Sequence, residues 1–219
     1  MTLFTDYLFL TDETEGFRIC RETRSTASNT MTVLFCEAGY IDVMFHNEFL
    51  RINEGELFVR IPDFRQTLGE YRMSPDFAFK QVTINADIYD QIMFDHMRVE
   101  PNWWAKQEYV KEHPIFPLNE PSKEFFHTYF KLLTLQLQDR QTAYRTQILK
   151  LIAHGATMEM LNYLDKLAVI HPNSITRASV NSSDYTFHQF TRLLQQYPHK
   201  REVQWYAGEL GITPKYLSE

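Results

Sequence analysis

Residues 31–63 read MTVLFCEAGYIDVMFHNEFLRINEGELFVRIPD, and this stretch decides the fold class. Short apolar runs are separated by turn residues, and Ile41, Val43 and Phe45 alternate with the side chains between them. A period of two predicts strands that bury one face. Several such strands at short spacing predict an antiparallel sandwich or barrel.

Turn residues mark the boundaries of these strands. The run Asn53–Glu56 predicts a hairpin turn, and Pro62 predicts a strand end because proline has no amide hydrogen to donate. The strand pattern extends over residues 17–116, and a predicted helix at 88–96 follows the main strands.

Residues 119–171 change to an apolar period of about 3.6, which predicts two long amphipathic helices. The first begins at residues 120–122, the chain turns near 138–140, and Gly155 is a predicted weak point in the second helix. Residues 172–183 are polar and aperiodic, which predicts a hinge. The apolar stripes consist of Phe126, Tyr129, Phe130, Leu133 and Leu137 in the first helix, and of Ile148, Leu151, Ile152, Met158, Leu161, Leu164 and Leu167 in the second.

The C-terminal residues 201–219 read REVQWYAGELGITPKYLSE and predict two short helices joined by a turn. Gly211 ends the first helix because glycine accepts the left-handed conformation. Thr213 is a predicted N-cap, and Pro214 is the first residue of the second helix. The inward stripe of the first helix consists of Val203, Tyr206, Ala207 and Leu210.

Such a short connection makes two helices cross steeply and leaves the second free to enter a major groove of DNA. From spacing alone, a generic helical hairpin fits these residues equally well.

The run from Phe190 to Glu219 resembles the first helix-turn-helix of the AraC/XylS family of bacterial transcription regulators. A leading helix packs on the pair in that family, which matches residues 187–194 here. The resemblance implies a sequence-specific DNA-binding transcription regulator. Because the family has two such motifs and this chain carries part of one, we expect a truncated chain. The shared residues are Val203, Tyr206, Ala207, Leu210, Ile212, Thr213, Pro214, Tyr216, Leu217 and Ser218.

The runs LFCEAGYIDVMF and INEGELFVRIPDF resemble the cupin-like N-terminal domain of many AraC/XylS members, which senses a small ligand or mediates dimerisation. We therefore expect an α+β fold with three parts. A cupin-like antiparallel β-barrel for sensing spans residues 1–118, a helical dimerisation segment with a linker spans 119–182, and an incomplete first helix-turn-helix spans 183–219.

The same resemblance implies that the long helices pair between the subunits of a homodimer, and we place Leu161 and Leu164 in that seam. The alternative is that these helices pack against the barrel of their own chain.

A small barrel has a concave mouth that can bind a small-molecule effector. Tyr40, Arg60 and Arg65 are the polar side chains that we expect to contact it. The alternative is a barrel filled by its own aromatic side chains, which make up 15% of the chain.

Cupin enzymes hold a metal ion with several histidines and a glutamate, whereas the matching stretch here offers only His46 and Glu48. A catalytic metal site needs about three protein ligands. We therefore expect no metal, no cofactor and no enzyme activity. The alternative functions are a small-molecule cupin enzyme and a ligand-free structural dimerisation module.

The predicted DNA contacts are Thr213, Lys215, Tyr216 and Ser218, because side chains at the start of a recognition helix reach bases and phosphates. The net charge of −6 opposes DNA binding, although basic and acidic residues cancel from Ser183 onward. This chain alone is therefore expected to bind DNA weakly.

The sequence has no run near the ~20 apolar residues of a membrane helix, and its N-terminus lacks the basic start of a signal peptide. We expect a cytoplasmic protein without a membrane partner. Cys20 and Cys36 have no metal-ligand spacing and are expected to be reduced thiols.

Overall fold

The structure is a computed structural model, and it describes residues 2–4, 8–12, 30–45, 48–61, 71–85, 88, 89, 92, 103–139, 143–170, 190, 193, 197 and 202–218. The predictions for the hinge at 172–183, for Pro62 and for Arg65 lie outside these residues. The elements are β1 (Thr2–Phe4), β2 (Leu8–Thr11), β3 (Thr30–Ala38), β4 (Tyr40–Phe45), β5 (Glu48–Asn53), β6 (Glu56–Arg60), β7 (Tyr71–Met73), β8 (Ala78–Asn85), α1 (Trp103–Glu112), β9 (Ile115–Pro117), α2 (Glu120–Gln138), α3 (Arg145–Ile170), α4 (Val203–Glu209) and α5 (Pro214–Ser218).

The strands form two antiparallel sheets, which confirms the α+β fold class. The larger sheet has the order β1-β2-β8-β3-β6-β9, and the smaller has the order β5-β4-β7. Within the described part of the chain, no ladder joins the two sheets into a closed barrel. The sheets are followed along the chain by α2 and α3 and then by the short pair α4 and α5.

One long bent hairpin contributes strands to both sheets. Phe35 pairs with Leu57 in the larger sheet, whereas Tyr40 pairs with Asn53 in the smaller sheet. Between these pairs, each arm of the hairpin turns at a glycine with positive φ. The glycine is Gly39 at 68° in one arm and Gly55 at 82° in the other. Only glycine adopts this conformation at little cost, and paired bends of this kind let strands change sheets.

The predicted hairpin turn at Asn53–Glu56 therefore needs a correction. This turn exists, and the Glu56 carboxylate accepts a hydrogen bond from the Asn53 amide at 2.7 Å. It is the corner of the bent hairpin, however, because β5 and β6 pair with β4 and β3 and not with each other.

The larger sheet separates two hydrophobic clusters, as the period of two requires. Val33 and Phe35 of β3 face the cluster that includes residues of α2 and α3. Leu34 and Cys36 face the cluster that lies against the smaller sheet, together with Ile41 and other residues of β4. The long helices thus share a core with the sheet of their own chain.

The first long helix begins and ends where the sequence predicts, at Glu120 and at Gln138. The Asn119 side chain accepts a hydrogen bond from the Ser122 amide at 3.0 Å and caps α2. At the other end, the Arg145 guanidinium donates to the carbonyl oxygens of Gln136 and Leu137, at 3.0 and 2.5 Å. Because Arg145 begins α3, these bonds fasten the start of one helix to the end of the other.

Gly155 does not interrupt α3, which continues from Arg145 to Ile170. A β-carbon at Gly155 would lie 3.1 Å from the Tyr129 hydroxyl oxygen and 3.2 Å from a carbon of the Tyr129 ring. The glycine is therefore a point of close packing between α2 and α3, and the prediction of a weak point was wrong.

Candidate nucleic-acid interface and ligand cavity

Helices α4 and α5 are joined by a short turn, and we keep the predicted name helix-turn-helix for residues 202–218. Gly211 follows Leu210, the C-cap of α4, and has a φ of +66°, which is the conformation that a glycine after a helix C-cap supplies. The Ile212 amide donates to the Ala207 carbonyl at 3.0 Å, and this bond closes the turn.

The second helix begins as its sequence predicts. The Tyr216 amide donates to the Thr213 hydroxyl oxygen at 3.2 Å, so Thr213 is the N-cap. Pro214 follows as the first residue of α5, where its missing amide hydrogen costs little.

The inner side of this motif is small and closely packed. Ala207 is fully buried and Tyr206 nearly so. The Tyr206 hydroxyl donates to the Tyr197 carbonyl at 2.8 Å, and its ring packs edge-on against Phe190 at 5.4 Å. Val203 was predicted to face inward, but it is exposed. In α4 itself, only Tyr206 and Ala207 are buried.

The predicted DNA contacts lie together on α5 and its cap. Thr213, Lys215 and Tyr216 are exposed, and Ser218 is the last residue of α5. The Thr213 hydroxyl already accepts the capping hydrogen bond. Lys215 and Tyr216 are the long exposed side chains on the first turn of α5, so they are the ones that extend farthest from the helix.

The three predicted effector contacts are not brought together. Arg60 pairs with Thr32 near the start of β3, whereas Tyr40 lies beyond the other end of that strand. The strand rises about 20 Å from Thr32 to its last residue, Ala38. Arg65 lies outside the described residues.

Arg60 and Tyr40 also have different surroundings. The Arg60 guanidinium is buried and donates to the Thr30 hydroxyl at 2.7 Å. Tyr40 lies on the outer side of the smaller sheet, where the Arg51 guanidinium stacks on its ring at 4.0 Å. Arg51 also forms an ion pair with Asp42 at 2.7 Å, and this hydrogen bond lowers the pKa of the Asp42 carboxyl.

The two leucines placed in the dimer seam lie in the core of the chain itself. Leu161 is 2% exposed and Leu164 is 1% exposed, and both belong to the cluster between the larger sheet and the helices. Contacts within one chain are enough to bury both leucines. This arrangement corresponds to the alternative given above, in which the long helices pack against the strands of their own chain.

Another face of α3 carries exposed apolar side chains. Tyr144, immediately before α3, is 70% exposed, Leu151 is 72% exposed and Met158 is 38% exposed. They recur every seven residues, so they share one side of the helix, and we call them the outer stripe. The neighbouring helix α2 exposes Phe125, Leu132 and Leu135. The sequence analysis placed Leu151 and Met158 in the same apolar stripe as Leu161 and Leu164.

A cavity of about 210 Å³ lies between the larger sheet and the two long helices, and we call it the sheet–helix cavity. Val33 and Val82 form part of its sheet wall, and Leu133, Ala153 and Met160 form part of its helical wall. Protein interiors are close-packed, with few voids larger than a water molecule. An apolar cavity of this size can hold a small apolar molecule, so it is a candidate ligand site.

The polar groups on the cavity wall are mostly engaged within the protein. The Tyr163 hydroxyl donates to the Pro117 carbonyl at 2.5 Å, and the Thr157 hydroxyl donates to the Ala153 carbonyl at 2.9 Å. Burial raises the pKa of Tyr129, and the nearby Glu159 carboxylate raises it further. These hydroxyls remain protonated at neutral pH and place no charge in the cavity, whose charged lining residues are Glu159 and Lys166.

No metal site is found among the residues that the structure describes. They include no group of three or more histidine, cysteine, aspartate or glutamate side chains that could hold an ion. Cys36 is buried, and burial raises the pKa of its thiol to about 11, so this thiol is protonated and unreactive. No described helix meets the length and hydropathy that spanning a membrane demands.

No protein-family model matches the sequence. No curated protein matches it either. Among solved structures, the AraC-like transcriptional activator CuxR matches 95% of this chain and 64% of its own, at 10% identity and a TM-score of 0.37. Two structures of ToxT from Vibrio cholerae match 87% of this chain. One is the apo form, at 9% identity and a TM-score of 0.38, and the other is at 12% identity and a TM-score of 0.36.

The chain spans 64 to 66% of the length of these structures.

Proposed function

We propose that the chain is a DNA-binding transcription regulator that acts as a homodimer and whose N-terminal region senses a small molecule. The observation that carries the DNA-binding part is the geometry of α4 and α5. A glycine turn, a threonine cap and a fully buried alanine hold two short helices in a helix-turn-helix, and the second helix has an exposed first turn.

In this proposal α5 is the recognition helix. Its N-terminal end enters the major groove, while α4 lies across the backbone. Lys215 neutralises a phosphate, and Tyr216 contacts a base edge or a sugar. One motif with a single lysine on α5 supplies little electrostatic affinity, and a net charge of −6 lowers it further. Two motifs joined in a dimer would bind two half-sites and compensate for this weakness.

The outer stripe is the surface that we propose for the dimer. Tyr144 and Met158 each lie seven residues from Leu151, on either side of it. If a second copy of α3 packs antiparallel across Leu151, each Tyr144 meets the Met158 of the other copy. Aromatic rings and methionine sulfur make favourable contacts. The stripe is therefore complementary to itself, as a two-fold interface requires.

The DNA-binding proposal is tested by selecting genomic fragments at about 50 mM salt, where phosphate contacts are strong. The 219-residue chain is compared with a form that includes whatever the gene encodes beyond Glu219. We expect discrete sites to be enriched by at least one form. Lys215→Ala should weaken binding to every selected site and reduce the salt slope by about one.

Lys131→Ala is the matched control, because Lys131 is an exposed lysine of α2 that lies outside the helix-turn-helix. If neither form enriches any fragment, the proposal of DNA binding is wrong. If Lys215→Ala and Lys131→Ala weaken binding equally, α5 is not the recognition helix.

The dimer proposal is tested by sedimentation of Leu151→Asp beside the unchanged chain. The substitution places a charge in the centre of an apolar seam and should dissociate the dimer. Leu132→Asp on α2 is the control for a charge at an exposed leucine that is not part of the outer stripe. A dimer that survives Leu151→Asp would require a different interface.

A further inference from the structure

We propose that the sheet–helix cavity binds an uncharged apolar molecule of about eight non-hydrogen atoms. The binding itself does not depend on the proposed DNA-binding function. If that function holds, this cavity, and not the Tyr40 and Arg60 region, is the effector site.

The size of the ligand follows from the volume of the cavity. An apolar cavity of about 150 Å³ accommodates benzene, which has six carbon atoms. At the same density, a cavity of about 210 Å³ accommodates about eight non-hydrogen atoms.

The apolar character of the ligand follows from the wall. The sheet side presents branched aliphatic side chains such as Val33, Val82 and Ile84, and the helical side adds Phe130 and Leu133. The Tyr163 and Thr157 hydroxyls already donate to backbone carbonyls. A charged group inside the cavity would lose its hydration without a partner of opposite charge, at high cost in free energy.

The mouth of the cavity gives a small molecule access and allows one polar end. Pro121, Phe125 and Lys166 line the cavity and are exposed, so it reaches the surface beside the start of α2. Glu159 also lines it, and its carboxylate offsets the Lys166 ammonium. Because the two charges oppose each other, the mouth favours neither an anion nor a cation. Tyr129 also lines the cavity, and we expect its hydroxyl to donate one hydrogen bond to the ligand.

The position of the cavity links it to the proposed dimer. Helix α3 contributes Ala153, Ala156 and Met160 to the cavity wall and carries the outer stripe on its other side. A ligand that pushes on the inner face of α3 would therefore change how the outer stripe meets a second copy.

The test uses the series of straight-chain alcohols from 1-butanol to 1-decanol as probes, without DNA. Calorimetry measures their affinity for the full chain, and thermal unfolding measures the stabilisation. Each added methylene should tighten binding about fourfold, the equivalent of burying one methylene group. The increase should stop near 1-heptanol or 1-octanol, where the cavity is full.

Two variants move this limit in opposite directions. Ala156→Leu adds three carbon atoms to the wall and should shorten the limit by about three atoms. Met160→Ala removes three atoms and should lengthen the limit by about the same amount. Ala78→Leu is the matched control, because Ala78 is exposed on β8 and should leave the limit unchanged.

Saturable binding with these shifts supports the proposal. The absence of saturable binding by every alcohol, or the same limit in all four proteins, overturns it. If Ala156→Leu does not fold, the comparison of Met160→Ala with the unchanged chain decides the result. Loss of DNA binding alone does not affect this test, because DNA is not part of it.

Discussion

Helix α3 has two apolar faces that differ in what covers them. Leu161 and Leu164 on one face are buried in the core against the larger sheet. Tyr144, Leu151 and Met158 on the other face are exposed. The residue types are similar and the spacing of both sets suits a helix. The difference shows that an apolar stripe predicts a surface that avoids water. The stripe does not tell whether that surface packs within the same chain or remains exposed for a partner.

The two faces should therefore control different properties. Removing methyl groups from the inner face opens a cavity in the core and lowers the free energy of unfolding. Removing them from the outer stripe changes a surface that is already hydrated. The following predictions test whether burial separates stability from association in this way.

The largest effect is expected from the same substitution on the two faces. Leu164→Ala should lower the free energy of unfolding by about 2–5 kcal/mol. Leu151→Ala should change it by less than about 0.5 kcal/mol. Urea unfolding at sub-micromolar protein concentration measures both. Similar losses for the two variants would mean that Leu151 is covered in the folded monomer.

A smaller effect is expected where the same contrast occurs in the helix-turn-helix. Ala207→Leu should force α4 away from its neighbours, because Ala207 is fully buried, and should cost about 1–3 kcal/mol. Val203→Leu should cost little, because Val203 is exposed. Hydrogen exchange of the α4 and α5 amides measures this local stability. Unchanged exchange in Ala207→Leu would contradict close packing of the motif.

The ion pair between α1 and α3 tests a side chain at the boundary of the two faces. The Lys106 ammonium is buried and lies 2.6 Å from the exposed carboxylate of Asp165. Asp165→Ala should cost about 1–2 kcal/mol, between the values for exposed and buried pairs. Thermal unfolding at low and high salt measures this loss. Asp165→Asn keeps a hydrogen-bond acceptor and should recover part of the lost stability. If the two variants lose the same stability, the acceptor has no role.

The smallest effect is expected from alanine at two helical glycines. Gly208→Ala should stabilise α4 by about 1 kcal/mol, because no atom lies near the added methyl group. Gly155→Ala should gain less or lose stability, because the methyl group would meet the Tyr129 ring. Thermal unfolding compares the two variants. An equal gain at both positions would show that Tyr129 moves aside freely.

Sequence reasoning identified local structure where the signal is local. The start of α2 at Glu120, the glycine turn at Gly211 and the cap at Thr213 all form as predicted. Each depends on one or two residues and on the chain beside them. The prediction of strands between residues 31 and 61 is confirmed for the same reason, since alternation is a property of neighbouring residues.

Sequence reasoning did not identify features that depend on distant partners. The strands β1 and β2 have few residues, and β9 ends in a proline, so their assignment depends on the neighbouring strands. Helix α1 begins at Trp103 and has a weakly amphipathic sequence. The sequence analysis also grouped Arg60 with Tyr40. The structure separates these two residues, because Arg60 pairs with Thr32 in the larger sheet and Tyr40 pairs with Asn53 in the smaller sheet.

The sequence by itself determined the class of the fold, the order of the main strands, the long helices and the two short helices, and the turn at Gly211. These features follow from backbone preferences and from periods of two and 3.6 residues. Only the tertiary structure decided which apolar face of α3 is buried, where the long hairpin bends between the sheets, and where a cavity remains. Those features depend on which distant surfaces meet, because burial is set by contacts between elements and no local pattern encodes it.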